Sequence, residues 1–166
     1  MSYLVYAALL LVLLGVLAVR WVPAGECLVV LRRNQVRRVV GPGLTALDPI
    51  RDHSSRFVLD PQDLPLVIHA VTRDEREVLV LARLSFQISD PGVAAHTAVD
   101  PATITAQVAE DVAASLLAGL SSADLHRIPA TTLDQLLAAV NLRCALWGVT
   151  VHDIAIEEVD LRLVTP

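Results

Sequence analysis

The sequence is poor in the residues that most often carry catalysis, redox chemistry or metal binding. Its 166 residues include two cysteines, one methionine and no lysine, and aromatic residues make up only 4%. Cys27 and Cys144 lie far apart in the chain and form no C-x-x-C pair, which excludes the usual zinc and thiol-redox signatures. With so few aromatic side chains, the core has to be built from aliphatic residues.

Common catalytic and ligand-binding motifs are also missing. The five histidines form no H-x-x-x-H or carboxylate-x-His pair, and the serines occur in no G-x-S-x-G or S-x-x-K motif. The G-P-G at 41–43 lacks the G-K-[ST] tail of a phosphate loop. The residues therefore predict no catalytic residue, no cofactor and no metal site, and we expect a protein that is not an enzyme.

A long apolar run opens the chain. Residues 1–19 contain no charged side chain, and with the next three residues the run reaches the ~20 residues that cross a bilayer. Tyr3 and Tyr6 lie near one end and Trp21 at the other, as in the aromatic belts of membrane helices. A cleaved signal peptide is the alternative, but the run has no basic start and is longer than usual. We predict a transmembrane anchor over residues 1–22.

Charge is divided unevenly along the chain. Residues 20–60 carry seven arginines and four acids, a net of +3, whereas residues 61–166 carry six arginines and fourteen acids, a net of −8. The positive charge after the anchor places the C-terminal side in the cytoplasm by the positive-inside rule. The acidic balance argues against a nucleic-acid partner.

Four of the arginines fall in the short stretch "RRNQVRR". They are Arg32, Arg33, Arg37 and Arg38. They are interpreted either as contacts to anionic lipid headgroups or as a solvated hairpin, and the pattern leaves both open. Cys27, just before them, is either an S-acylation site or a small apolar strand residue.

Hydrophobic periodicity predicts one α+β domain over residues 23–166. Short strands are expected at "AGECLVVLRR" and "QVRRVV", followed by a break at the G-P-G and further strands. In "EREVLVLARLSFQIS" every second residue is apolar, which predicts a long strand with one dry and one mixed face. The dry face comprises Val78, Val80, Ala82, Leu84, Phe86 and Ile88.

Two helices are expected next, and then a closing strand. Asp100 is the predicted N-cap of the first helix, and Gly148 ends the second. The first helix has a predicted apolar stripe of Ile104, Val108, Val112 and Leu116. The second has one of Leu133, Leu136, Leu137, Val140, Cys144 and Trp147. The closing strand slips in phase after Val151, which predicts either a β-bulge near His152 and Asp153 or a strand buried on both faces.

After the anchor, four segments follow in order: "VPAGECLVVLR", "GPGLTALDPIRD", "VTRDEREVLVLARLSFQISDP" and "ALWGVTVHDIAIEEVDL". Together they resemble the stomatin/prohibitin/flotillin (SPFH, or band-7) domain, in its bacterial stomatin-like form. The loop residues that match are Gly41, Pro42, Gly43, Leu44, Pro49 and Asp52. The later residues that match are Thr72, Asp74, Asp90, Pro91, Trp147 and Gly148. The resemblance implies a curved, mostly antiparallel sheet packed against two or three helices.

The resemblance also implies a surface and a function. In this family the first strands and the G-P-G loop lie at the bilayer. The implied membrane-contact residues are Arg32, Arg33, Arg37, Arg38, Leu44, Leu47 and Ile50. The expected protein is a non-enzymatic, single-pass protein of the cell membrane that organises the membrane and regulates membrane-protein partners. The alternatives are a regulatory binding module for one partner, such as a membrane protease, and a membrane-tethered hydrolase, for which the residues show no site.

Assembly is the last expectation. Most family members continue into a long coiled coil that drives assembly into large particles, whereas this sequence stops a few residues after the closing strand. We therefore expect the usual coiled coil to be lacking. The expected state is a monomer or small homo-oligomer, or a hetero-oligomer with a helix-bearing SPFH protein.

Overall fold

The computed structural model describes residues 19–33, 35–48, 52–97 and 100–162, together with Tyr3, Val5, Tyr6 and Leu9. Its strands are β1 (Val19–Val22), β2 (Glu26–Arg32), β3 (Gln35–Val40), β4 (Gly43–Ala46), β5 (His53–Val58), β6 (Gln62–Val71), β7 (Glu77–Ile88) and β8 (Val149–Arg162). Its α-helices are α1 (Pro91–Ala94), α2 (Pro101–Leu117) and α3 (Ala130–Cys144), and two 3₁₀ turns cover Asp124–Arg127 and Ala145–Trp147. The prediction of an α+β fold is confirmed.

The chain forms two compact units, residues 1–60 and residues 61–166. We call them the N-terminal unit and the C-terminal unit. Every strand pairing is antiparallel in the described residues of both units.

In the N-terminal unit, β2 is the central strand of a β3-β2-β5 sheet. Its sequence is almost entirely apolar, and residues 27–31 are buried. Because successive side chains of a strand point to opposite faces, a run buried without interruption marks a strand covered on both sides. Val22, Leu28 and Val30 form a buried cluster, against which Val40 and Leu47 pack.

The hairpin of β2 and β3 contains a β-bulge that the sequence pattern did not predict. Arg32 pairs with Gln35 and Leu31 with Val36, but Val30 pairs with Arg38. Arg37 is therefore an extra residue, so that Arg37 and Arg38 together lie opposite one residue of β2.

The last residues of the predicted anchor form a strand and not part of a helix. Val19–Val22 form β1, which pairs with β4, so that these residues are strand and not helix. Among the residues that the structure describes, no helix is long and apolar enough to span a bilayer. Residues 1–18 lie outside the described residues, apart from four positions that are helical and exposed: Tyr3, Val5, Tyr6 and Leu9.

The C-terminal unit contains a β6-β7-β8 sheet with the 12-residue β7 at its centre. The six residues of the predicted dry face of β7 are all buried, and the residues between them are half-buried or exposed. The prediction of one dry and one mixed face is confirmed.

Two β-bulges interrupt the pairing of β8 with β7. Ser85 pairs with Asp153 and Phe86 with Val151, so His152 is an extra residue. This confirms the bulge alternative for the phase slip. A second bulge, at Glu157, was not predicted: Leu81 pairs with Glu158, but Ala82 pairs with Ile156. Each bulge restores the phase of the strand, because one added residue shifts the alternation of side chains by one position.

The helices α2 and α3 pack against the sheet, α2 on β6 and α3 on β8. Of the six residues of the second predicted stripe, Leu136, Val140 and Cys144 are buried, and the other three are half-buried. Of the four residues of the predicted α2 stripe, only Val112 is buried, and the other three are half-buried. The buried stripe of α2 consists of Pro101, Thr105, Ala109, Val112, Ala113 and Leu117. Small side chains at its centre suit a close approach of the helix to the strands.

Candidate membrane-contact surface

The β1–β4 pair has one buried face and one exposed apolar face. Val22 is fully buried and Thr45 is nearly so. On the other face, Trp21 lies opposite Leu44, and Val19 lies opposite Ala46. Trp21 is 64% exposed and Leu44 is 70% exposed. We call this surface, formed by Val19, Trp21, Leu44 and Ala46, the apolar face. A contiguous apolar surface of this kind is typical of contact with another apolar phase.

Two of the four predicted arginines, Arg37 and Arg38, line a groove together with Ala46 of this surface. The Arg38 guanidinium donates a hydrogen bond to the carbonyl oxygen of Ala46, which joins the β2–β3 hairpin to β4. Arg33, Arg37 and Arg38 are exposed, and Arg32 is half-buried. The structure therefore brings the predicted arginines and the apolar face together in one unit.

Two shallow grooves lie among these arginines. The first, which we call the hairpin groove, has a volume of about 390 Å³ and is lined by Arg32, Arg33, Gln35, Val36 and Arg37. The second, the loop groove, has a volume of about 450 Å³ and is lined by Arg37, Arg38, Ala46, Leu47, Asp48 and Asp52. Arg37 belongs to both, because the bulge of β3 places it between them.

Asp52 is held beside Arg37 by the loop that follows β4. Its side chain is 5% exposed, and its Oδ1 lies 4.0 Å from Arg37 Nη1. Its Oδ2 accepts a hydrogen bond of 3.2 Å from the Asp48 N–H. Asp52 Oδ1 is buried and has no hydrogen-bond partner among the described residues. Asp52 therefore interacts with the Arg37 guanidinium through its charge and not through a hydrogen bond.

The predicted apolar contact residues differ in their exposure. Leu44 lies on the apolar face, whereas Leu47 is half-buried and packs on the cluster of Val22, Leu28 and Val30. Ile50 lies outside the described residues. Of the three predicted residues, Leu44 has the geometry best suited to an interface contact.

Val19 and Ala46 were not predicted as contact residues, and Trp21 was predicted at the membrane interface as part of the anchor helix, not of a strand. The signal that could have revealed Trp21 is the alternation in "VRWV", where Val22 is followed by the strand breakers Pro23 and, two residues on, Gly25. The apolar residues before it hid that signal, because they extend a uniform hydrophobic run into the strand.

Cys27 is 1% exposed. Burial raises the pKa of its thiol, and a backbone hydrogen bond with Phe57 lowers that pKa by a smaller amount. A buried, protonated thiol is neither accessible nor nucleophilic. The structure therefore favours the small apolar strand residue over the S-acylation site.

The polar residues that match the family pattern in the C-terminal unit join structural elements. Asp74, in the turn between β6 and β7, accepts hydrogen bonds from the Ser122 hydroxyl at 2.6 Å and from the Ser122 N–H at 3.0 Å. These bonds, above all the one from the hydroxyl, hold the pKa of Asp74 far below its ordinary value. Asp74 lies outside the grooves and fastens the turn to the segment after α2.

A second joint connects the start of α1 to the start of β8. The Asp90 side chain caps α1 by accepting from the Gly92 and Val93 N–H groups. Gly148 adopts a φ of +69°, and its carbonyl accepts from the Ser89 and Asp90 N–H groups. Among the described residues, no group of three or more His, Cys, Asp or Glu side chains could hold a metal ion.

Comparison with known proteins identifies the family of this chain. The profile of the SPFH domain / Band 7 family matches residues 20–162. Stomatin-like protein 1 from Homo sapiens is 27% identical over 148 residues, which are 87% of this chain and 37% of that protein. The chain thus spans a little over a third of the length of this relative. Because the family profile extends over nearly the whole sequence, from β1 to the end of β8, the chain belongs to the SPFH domain / Band 7 family.

Proposed function

We propose that this protein is a non-enzymatic membrane-associated scaffold, attached to the cytoplasmic side of the cell membrane by its N-terminal unit. The observation that carries the proposal is the apolar face of β1 and β4, with Arg37 and Arg38 beside Ala46 and Arg32 and Arg33 in the same unit. An apolar surface can enter the interface while neighbouring guanidiniums pair with headgroup phosphates. Membership of the SPFH family supports the same role.

Residues 1–18 are the proposed transmembrane anchor. They contain no charged side chain and fall within the ~17–25 residues that can span a bilayer. The surface contacts alone are weak: burying one leucine contributes ~1.5–3 kcal/mol, and each nearby arginine ~1 kcal/mol. Stable attachment therefore depends on the anchor, and the apolar face orients the N-terminal unit at the bilayer.

Attachment is tested by washing membranes that contain the full chain. We expect the protein to stay in the pellet after high salt and after carbonate, because burial in the bilayer core does not depend on ionic strength. Full release into the supernatant by carbonate would contradict the anchor.

The apolar face is tested by quenching of tryptophan fluorescence. The protein has two tryptophans, Trp21 and Trp147, so the Trp147→Phe variant reports on Trp21 alone. In proteoliposomes with lipids brominated near the headgroup, we expect strong quenching of Trp21. The Trp21→Phe variant, which reports on Trp147, is the reference. Equal quenching in the two variants would remove the apolar face from the proposal.

The alternative function is a regulatory binding module for one membrane-protein partner, such as a membrane protease. One observation favours it: Leu142, near the end of α3, and Leu146, in the 3₁₀ turn that follows, are 79% and 72% exposed. Purification of the full chain in mild detergent tests it. If this function is correct, one co-purifying protein is lost in the Leu142→Ser, Leu146→Ser double variant, whereas Leu44→Ser retains it.

Assembly completes the proposal. Copies of the chain, or a related SPFH protein with a coiled coil, would extend the scaffold across the membrane. Light scattering of the purified full chain in detergent tests this, with a monomer or small oligomer expected for the chain alone. A discrete particle of many subunits would show that these residues assemble without a partner.

A further inference from the structure

The hairpin groove differs from an ordinary patch of surface arginines. Three of its five lining residues are arginines, and none is acidic. Among the described residues, the ion pairs include Arg37 but neither Arg32 nor Arg33. Arg32 is also half-buried. Within the described residues, Arg32 and Arg33 therefore have no paired carboxylate, whereas Arg37 has Asp52 at 4.0 Å.

The backbone of the hairpin concentrates this charge. Arg33 lies at the turn with a φ of +53°, a conformation in which glycine or asparagine is usual. The bulge adds Arg37 to the same groove. Asp52, with a buried Oδ1 at 4.0 Å from Arg37 Nη1, holds that guanidinium at the boundary of the two grooves.

These features fit an oxyanion with more than one negative charge. Guanidinium groups bind phosphate through paired N–H donors, and the Gln35 side-chain amide adds a neutral donor. The volume of about 390 Å³ is in the range of small-molecule sites. The exposed apolar face of the same unit favours a phosphate that carries acyl chains over a free phosphate.

We propose that the hairpin groove is a discrete site for a phospholipid headgroup that bears a phosphomonoester, bound by Arg32, Arg33 and Arg37 and with Asp52 as a positioning residue for Arg37. This inference rests on the proposed membrane attachment and adds a selective headgroup to it. In a purely diffuse attraction, by contrast, every arginine of the N-terminal unit would contribute alike.

The test measures binding of short-chain lipids to the full chain in detergent by calorimetry. The probes are dioctanoyl phosphatidic acid, a monoester, dioctanoyl phosphatidylglycerol, a diester, and glycerol 3-phosphate, which has no acyl chains. We expect phosphatidic acid to bind about tenfold more tightly than either of the others, since one charged hydrogen bond corresponds to roughly that factor. Equal affinity for the two lipids would overturn the proposal, and tighter binding of glycerol 3-phosphate would assign the groove to a free phosphate.

Matched variants separate the site from overall charge. Arg33→Gln and Arg37→Gln should each weaken the binding of phosphatidic acid about tenfold, whereas Arg20→Gln, which removes the same charge outside the groove, should weaken it less than about threefold. Similar losses in all three variants would leave only diffuse attraction.

For the Asp52→Asn variant, the two explanations predict opposite changes in lipid affinity. It makes the protein more positive, so diffuse attraction predicts tighter binding, whereas loss of the positioning contact predicts weaker binding. If this variant does not fold, Arg37→Lys serves the same purpose, because it keeps the charge but loses the paired donors. Unchanged affinity in Arg37→Lys would overturn the proposal. Carbonate-resistant attachment with no headgroup selectivity would contradict this inference alone, whereas release by carbonate would contradict the anchor.

Discussion

The two units differ in how far helices cover the apolar faces of their strands. In the C-terminal unit, one face of a three-stranded sheet is covered by α2 and α3, and its apolar residues are buried. In the N-terminal unit, the β1–β4 pair has no helix over its second face among the described residues 19–60, and Trp21 and Leu44 remain exposed. The covered face stabilises the C-terminal unit, whereas the exposed face of the N-terminal unit is available for the proposed contact.

Charge follows the same division. The N-terminal unit carries an excess of arginine, whereas the C-terminal unit carries an excess of acid. An anionic bilayer attracts positive charge and repels negative charge, within about 8 Å of the surface at physiological salt. The charge difference therefore supports the proposal that the N-terminal unit is the one that contacts the bilayer.

Truncation of one leucine in each unit should give the largest contrast in stability. Leu84 is fully buried on β7, and Leu44 is 70% exposed on β4. Leu84→Ala should lower the free energy of unfolding by about 3 kcal/mol, because it leaves a cavity, and Leu44→Ala by less than about 0.5 kcal/mol. Denaturant unfolding of the full chain in mild detergent measures both. Similar losses would show that Leu44 is covered, which would break the comparison.

Two glycines, one in each unit, should differ in how well they tolerate an added side chain. Gly148 has a φ of +69°, and a Cβ there would overlap the carbonyl oxygen of Asp90, whereas a Cβ at Gly41 would meet no atom within 4 Å. Gly148→Ala should therefore cost about 2 kcal/mol or more, from backbone strain and displacement of the Asp90 peptide. Gly41→Ala should be close to neutral. A stable Gly148→Ala variant, measured in the same unfolding assay, would argue against a tight joint between α1 and β8.

The sequence predicted the C-terminal unit better than the N-terminal unit, for a physical reason. The alternation of β7 is strong because one face is dry along the whole strand. The phase slip at His152 was visible because apolar residues lie on both sides of it. The bulge at Glu157 leaves a similar signal that was missed, because Ile154 and Ile156 lie in one phase and Val159 and Leu161 in the other. The stripe of α2 was placed on its large side chains, while the structure buries the small ones, which allow closer packing.

In the N-terminal unit the arginines were predicted as a group, but their arrangement was not. The bulge at Arg37 follows from strand pairing, and strand register is not encoded in the spacing of charged residues alone. β1 was assigned to the anchor because its apolar residues continue the preceding run without interruption. A two-stranded pair with one exposed apolar face has no distinct sequence signal when a longer hydrophobic segment adjoins it.

Asp74 should make the C-terminal unit sensitive to acid. The pKa of Asp74 is lower in the folded chain than its ordinary value of 3.8, chiefly through the Ser122 hydroxyl. The contact therefore contributes stability above about pH 4 and loses it as the pH falls further, since the unfolded state then binds the proton first. We expect the thermal midpoint to fall more between pH 6 and pH 3 in the parent protein than in Asp74→Asn. Asp111→Asn, which removes an exposed carboxylate of α2, is the control and should retain the full decrease. A parallel decrease in all three proteins would exclude Asp74 as a source of acid sensitivity.

The smallest effect is expected for an ion pair on the outer face of the C-terminal unit. Arg83 Nη2 lies 2.6 Å from Glu157 Oε1, and the two side chains are 58% and 47% exposed. Exposed pairs contribute only ~0–1 kcal/mol, because water screens them and both side chains lose conformational freedom. Arg83→Gln should therefore change the free energy of unfolding by less than about 0.5 kcal/mol.

The same variant should leave the binding of phosphatidic acid unchanged, although it removes the same charge as Arg37→Gln. A loss of lipid binding in Arg83→Gln as large as in Arg37→Gln would mean that net charge, and not the position of the arginine, controls the contact. The distinction between the two units would then reduce to their charge alone, because an arginine in either unit would serve equally well.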